Sequence, residues 1–431
     1  MQGLRKRFSD TTLVTLANLA SAGFGFITFF ILIRSLELSQ FGEWVLYITA
    51  FNLAEMLRTG LVRQAMVHSA ASASSANKKR AVQSSAFYLS LILSVGGGMA
   101  LLVMGNLFYA ESSSGIAYFF LIYPLSGLLS LIPAFDTWLS QAQGKMLRMS
   151  LFTFLPAILL AVFALVSIWY QVSLLQLIVV HTAIRAVLSI YALASSPSSR
   201  QAIIQPVLGE IRSLWNYGKY SVATLLGTNL LKSADNFLIA YFLGPTAVAI
   251  YNVPLKLLEI AEIPARSTGQ VLFPKLSRLF SENDLMVFGL TLKKNISRLF
   301  IGYIPAAVLA FIGAEYLVSL VGGDEVSSSA VVLRVFLVYV ILLPVDRLLG
   351  VAIDSTGRPI NNAIKVWIMV ALNVIGDVLV LYYFSSIAMV ASVTVLNIIA
   401  GILVGGYLLK KPLGPLKQYF TLKNRKDVIA A

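Results

Sequence analysis

The residues best equipped for chemistry in this sequence are charges set inside long apolar runs. Glu55, Arg58 and Arg63 lie within 43–66, His181 and Arg185 within 173–195, and Lys232 and Asp235 within 215–243. Lys256, Glu259, Glu262 and Arg266 fall within 247–273, and Arg334, Asp346 and Arg347 within 328–353. Asp136, Glu315 and Asp377 stand more alone. A charge at bilayer depth costs about 2.5–3.5 kcal/mol on insertion scales, so it faces a partner or a water-filled cavity. Two chemistries suit these residue types. Guanidinium forks and ammonium groups capture oxyanions. Carboxylates in a low-dielectric setting take up a proton or a cation.

The run 247–273 is the most informative. At 100° per residue, Asn252, Lys256, Glu259, Glu262, Arg266 and Gln270 share a sector of about 120°. Such a stripe belongs against water, not lipid. The run 43–66 repeats it with Asn52, Glu55, Arg58 and Thr59. Both carry an acid, then an arginine three or four residues on, then Thr-Gly. The candidate binding residues are Arg58, Arg266, Lys256, Arg185, Arg334 and Lys232, and the candidate ion-coupling residues are Glu259, Glu262, Asp235 and Glu55. The same spacings also suit plain ion pairs within one helix: Glu55–Arg58, Lys232–Asp235, Lys256–Glu259 and Glu262–Arg266.

The elements that must position these groups are read from hydropathy. Of 431 residues, 58% are hydrophobic and only 12% charged, about half the charge of an ordinary soluble protein. Twelve runs reach the roughly 20 residues that span a bilayer: 11–33, 43–66, 84–108, 117–139, 150–170, 173–195, 215–243, 247–273, 297–320, 328–353, 360–384 and 387–409. Runs of this length are helices, not barrel strands. The first is too long for a signal-peptide core and reads as a retained helix. Lys and Arg crowd one set of loops, from Arg5, Lys6 and Arg7 through Lys78, Lys79 and Arg80 to Lys410–Lys426. The opposite set holds Arg34 beside Glu37, Glu111, Asp324 and Glu325. That asymmetry puts both termini in the cytoplasm and explains the net charge of +14 without a nucleic-acid partner.

The polar stretch 196–214 reads as a cytoplasmic linker between a lobe at 1–195 and a lobe at 215–409, followed by a basic tail at 410–431. Short matches relate the lobes: Gly60 with Gly269, Gly144 with Gly357, and Asn18-Leu19 with Asn229-Leu230, at offsets of 209, 213 and 211. An even number of helices per copy predicts a pseudo-two-fold axis along the membrane normal, with a cavity between the halves. Pro124, Pro133, Pro254, Pro264, Pro305 and Pro344 predict static kinks that shape it. Cysteine is absent and histidine is confined to His68 and His181, which excludes thiol chemistry and a Cys/His zinc site. No phosphate-cradling G-x-x-x-x-G-K-[ST] loop or Ser/His/Asp arrangement is recognisable, so the expectation is not an enzyme.

Three stretches carry a family resemblance: Arg34-Ser35-Leu36 through Phe41-Gly42-Glu43-Trp44; Ala234 to Pro245 with Ala249-Ile250-Tyr251-Asn252; and Gln141 to Lys145 with its partner around Gly357-Arg358-Pro359. In them the chain resembles the Wzx-type oligosaccharide flippases, in the superfamily that includes MATE exporters and lipid II flippases. The resemblance implies a MATE-like, all-α polytopic membrane protein of about twelve helices in two six-helix bundles. It implies an inner-membrane location and an undecaprenyl-diphosphate-linked oligosaccharide as cargo, moved from the cytoplasmic to the outer leaflet by alternating access for surface polysaccharide such as O-antigen. Arg58 and Arg266 would then face each other and hold the pyrophosphate. Partners would be that lipid-linked saccharide, membrane lipids and other polysaccharide-assembly membrane proteins. No cofactor is expected beyond coupling to H+ or Na+. A MATE-like exporter of small organic cations is the alternative, and it predicts a more acidic site. A polytopic enzyme of glycan assembly would need a large external loop, and the external loops here are short.

Overall fold

A computed structural model describes residues 10–71, 75–108, 114–196, 206–357 and 359–413. Arg5, Lys6, Arg7, Glu111, Arg200, Arg358, most of the basic tail and the 197–205 part of the expected linker lie outside the described residues. Those described form helices: α1 (Asp10–Ser35), α2 (Leu38–Ala71), α3 (Ala76–Phe108), α4 (Gly115–Ala142), α5 (Met146–Val166), α6 (Leu174–Ser195) and α7 (Leu208–Leu243). Then come α8 (Pro245–Ser281), α9 (Leu285–Ile312), the short α10 (Ala314–Gly322), a 3-10 turn (Asp324–Ser329), α11 (Ala330–Ser355), α12 (Pro359–Phe384) and α13 (Ile387–Leu413). This is a multi-pass membrane protein, and no strand occurs among the described residues.

Ten of these helical segments are long and apolar enough to cross a bilayer. The expectation of about twelve included α7 and α8, which are 36 and 37 residues long but too polar to qualify on composition. At 1.5 Å per residue each runs about 54 Å, beyond the roughly 30 Å hydrocarbon core. The expected run 297–320 is two helices. It breaks at Gly313, whose N–H caps Leu309 O at 3.0 Å, before α10 begins. Residues 208–214, expected in the linker, form the first turns of α7.

Local sequence sets the helix starts. Ser114 Oγ accepts from the Ala117 N–H at 3.2 Å, and Ser173 with Gln176 forms a capping box on α6. Asp284 Oδ1 accepts from Val287 N at 3.2 Å to start α9. Gly244, at φ +83°, turns the chain into Pro245 at the first position of α8.

The chain divides into two compact units, residues 1–229 and 230–431, with the boundary inside α7. In the first, α4 packs against α2, α3, α5 and α6. Its core joins Met66, Val82, Phe87, Phe135, Trp138 and Leu139 with Leu214 of α7. Close approach fixes that junction: a Cβ on Gly218 would overlap the Leu61 carbonyl. In the second unit α11 packs against α8, α9, α12 and α13, the same pattern one repeat later. Leu272, Leu276, Phe288, Leu348 and Ala352 form its core. The turns after α4 and α11 also agree. Gly144 and Gly357 take left-handed φ of +68° and +73°, which a side chain rarely adopts. Both N–H groups reach back three residues, to Gln141 O and Asp354 O, each at 3.2 Å.

Candidate functional site

The acid–arginine pair on α2 is sealed inside the first unit. Arg58 is 3% exposed. Its Nη1 donates to Ser94 Oγ at 3.0 Å and Gly127 O at 2.9 Å. Its Nη2 donates to Ser130 Oγ at 3.1 Å and pairs with Glu55. Glu55 also accepts from Ser130 Oγ at 2.8 Å and Tyr123 OH at 3.2 Å. Both terminal amino groups of Arg58 are therefore spent on α2, α3 and α4, which leaves only its Nε, a single enclosed N–H without a partner, and no fork for a phosphate. The guanidinium expected to hold pyrophosphate is instead a brace within the unit.

The equivalent pair on α8 is open. Glu262 Oε2 accepts from Arg266 Nη2 at 2.9 Å and from Lys232 Nζ at 3.0 Å. Arg266 is 48% exposed and Lys232 56%, with Glu262 between them at 16%. Two cations thus share one carboxylate oxygen and keep most of their donors free. The expected Lys232–Asp235 pair is replaced by Lys232–Glu262, because Asp235 faces the unit interior. Lys256 pairs with Glu259 at 2.7 Å one turn back along the stripe.

The backbone under Glu262 and Arg266 is unusual. Pro264 has no N–H, and Tyr303 of α9 places its hydroxyl at the same turn. That hydroxyl donates to Ala261 O at 2.5 Å and accepts from Ala265 N at 3.2 Å, the two groups a regular helix would join directly. Nearby, α8 crosses α11 where a Cβ on Gly269 would lie 3.1 Å from Val351. Arg347 is within a turn of this crossing, exposed, and has no hydrogen bond or ion pair among the described residues. Arg347 was noted in the sequence among the charges of the run 328–353 but not among the candidate binding residues; adjacent residues on a helix point about 100° apart, and Asp346 pairs with Lys365 of α12 instead.

Asp235 anchors a second, buried arrangement. Its Oδ2 accepts from Tyr251 OH at 2.6 Å and lies 3.5 Å from Thr394 Oγ1; its Oδ1 accepts from Asn373 Nδ2 at 2.8 Å. Asn373 Nδ2 also reaches Asp377 Oδ2 at 2.7 Å, and Asn397 Nδ2 donates to Asn373 Oδ1 at 2.9 Å. Asp235 and Asp377 are 5% and 0% exposed, and neither makes an ion pair with a cation among the described residues. Asp377 Oδ1 and Asn397 Oδ1 are buried without a partner. Two carboxylates, one with an unpaired oxygen, and an unpaired amide oxygen suit a proton or a small hard cation. Asn373, Asp377, Thr394 and Asn397 were not selected from sequence as a group. Their signal is the Asn-x-x-x-Asp and Thr-x-x-Asn spacings in otherwise apolar runs.

The remaining candidates separate. Arg334 pairs with Glu315 of α10 at 3.0 Å, and Asp136 pairs with Arg148 of α5 at 2.7 Å. Arg185 Nη2 meets His181 Nε2 at 3.2 Å and, among the described residues, makes no ion pair with a carboxylate, though the charge of Glu55 reaches it.

A family model described as "Polysaccharide biosynthesis protein" matches residues 8–280. The chain belongs to that family. It is similar to the "Probable low-salt glycan biosynthesis flippase Agl15" of Haloferax volcanii, 25% identical over 180 residues. That match spans 42% of this chain and 38% of the relative's length. Among solved structures, the lipid II flippase MurJ in an inward closed conformation aligns with a TM-score of 0.75 at 13% identity, covering 96% of this chain and 94% of that one. An inward-facing multidrug resistance MATE family transporter of the MOP superfamily gives 0.74 at 14% identity, covering 92% and 95%. At these identities the likeness concerns the fold, which is MATE-like. The stretch from Ala234 to Pro245 with Ala249–Asn252 falls inside the matched residues and supplies Asp235 and Tyr251 to the buried cluster, whose other members lie on α12 and α13.

Proposed function

We propose that this protein is a flippase that moves an undecaprenyl-diphosphate-linked oligosaccharide from the cytoplasmic to the outer leaflet by alternating access, for surface polysaccharide synthesis. The observation that carries this reading is the open cationic seat on α7 and α8. Lys232 and Arg266 share Glu262 and leave a surplus positive charge with free donors. A diphosphate needs such a seat, because charge-assisted bonds to its oxygens replace its lost hydration. Membership of the polysaccharide biosynthesis family supports the glycan, and the glycan flippase of Haloferax volcanii supports the reaction class. A seat for small organic cations would instead present uncompensated acids at an open face; here each described acid of the stripe is covered by Lys or Arg, and the uncompensated Asp235 and Asp377 are enclosed at 5% and 0% exposure.

Directional movement needs an energy source, and the Asp235–Asp377 cluster is our proposed coupling site for H+ or Na+. The location is the inner membrane with both termini cytoplasmic, which the loop asymmetry supports. Proteoliposomes holding the full chain test both readings. Lipid-linked saccharide should cross faster under a cation gradient, and a fluorescent organic cation should not be extruded. Asp235→Asn and Asp377→Asn should abolish the gradient effect and leave gradient-independent exchange. Extrusion of the organic cation with no movement of the saccharide would overturn the flippase reading.

A further inference from the structure

His181 and Arg185 lie one turn apart on α6, so they share a face. A guanidinium has no acceptor, so the contact from Arg185 Nη2 must end on an unprotonated His181 Nε2, at 3.2 Å. The ring hydrogen is then on Nδ1, which donates to Tyr47 OH at 3.2 Å. The rings of Trp44, Tyr47 and Phe51 close edge-to-face on the imidazole, with centroids 6.1, 5.6 and 4.8 Å away. His181 is thus clamped in one orientation and one tautomer. Arg185 is held from two sides, by that nitrogen and by the Phe51 ring, 5.3 Å from its Cζ.

This holding leaves most of the guanidinium unsatisfied. Arg185 Nε is buried without a partner, and Nη1 makes no hydrogen bond among the described residues. The acid whose charge reaches Arg185 is Glu55, one turn beyond Phe51 on α2. Its oxygens are already taken by Arg58, Ser130 and Tyr123. Within this cluster, Arg58 and Arg185 against Glu55 leave one surplus positive charge. Unpaired donors on a cation in low dielectric favour an oxyanion over any neutral acceptor.

We propose that Arg185, positioned by His181, is an oxyanion site of the first unit that holds a second negative group of the cargo. Two sources share that chemistry: the carboxylate of an acidic sugar, and phosphate. The ligand class rests on the flippase reading. The residues do not, since Lys232, Glu262 and Arg266 belong to the other unit.

The test uses the full chain in nanodiscs, with methyl glucuronoside, methyl glucoside and inorganic pyrophosphate as separate probes in titration calorimetry. Wild-type protein should bind glucuronoside or pyrophosphate through Arg185, and Arg185→Gln should weaken that binding at least tenfold. Loss confined to glucuronoside assigns a sugar carboxylate, and loss confined to pyrophosphate assigns phosphate. Glucoside should not bind differently in any variant. His181→Gln keeps an acceptor for Nη2 and should retain affinity, whereas His181→Leu should lose it. That pair decides the matter if Arg185→Gln does not fold. Anion affinities unchanged in Arg185→Gln, or equal in the two His181 variants, overturn the site. The Lys232–Arg266 seat is judged separately, by the effect of Arg266→Gln on pyrophosphate.

Discussion

In the first unit, Glu55 and Arg58 are enclosed by Ser94, Gly127, Ser130 and Tyr123, and the arginine is 3% exposed. In the second, Glu262 and Arg266 stand at an open helix face, and the arginine is 48% exposed. The two pairs have nearly the same spacing, each followed by Thr-Gly, and occupy matching helices of a duplicated fold. What differs is what the neighbouring helices bring. The first pair meets hydroxyls and a carbonyl from α3 and α4. The second meets an extra cation, Lys232 from α7, and a backbone opened by Pro264 and Tyr303. A repeat preserves position but not environment, so one copy has become a brace and the other remains available to a ligand.

The comparison breaks most visibly at Arg58. Arg58→Ala strands Glu55 in the interior, and removing one partner of a buried pair costs about 3–5 kcal/mol. Thermal unfolding of the purified protein should fall accordingly, and protein level with it. A variant as stable as wild type would show that Arg58 is not a brace. Arg266→Gln should behave oppositely, with an unchanged unfolding midpoint and weaker binding of inorganic pyrophosphate. The loss of a charge-assisted bond predicts about 1.5–3 kcal/mol, tenfold or more. Glu262→Gln sharpens the point, since it frees both cations from their shared acid. Pyrophosphate affinity should rise several-fold, and a fall would mean that Glu262 contacts the anion's seat constructively. Ser94→Ala removes one of four bonds to Arg58 and should cost about 1 kcal/mol of stability with no change in binding.

Much of the fold was legible. Apolar run length gave the helices, because lipid leaves no other way to satisfy backbone groups. The break at Gly313 was not, since apolar residues continue across it and only the glycine marks the turn. The first turns of α7 looked like linker because Glu210 and Arg212 are polar, yet Ile211 and Leu214 pack into the α2–α4 core. Site residues were legible as a set of charges but not as partners. Helical spacing offered Lys232 only Asp235, and it is the packing of α7 against α8 that gives it Glu262. The Asp235 cluster needed α12 and α13 beside α7, a juxtaposition some 140 residues apart in sequence, as in Asn373 to Asp235. Tyr303 left no sequence signal, since one tyrosine in an apolar helix resembles any other.

The most direct measurement is leaflet-resolved translocation of undecaprenyl-diphosphate-linked saccharide in proteoliposomes, comparing wild type with Lys232→Gln/Arg266→Gln. The cationic seat predicts that wild type moves the saccharide, and that the double variant keeps its unfolding midpoint while losing at least tenfold in rate. Equal rates in the two proteins, or no movement by wild type under either a proton or a sodium gradient, would contradict it.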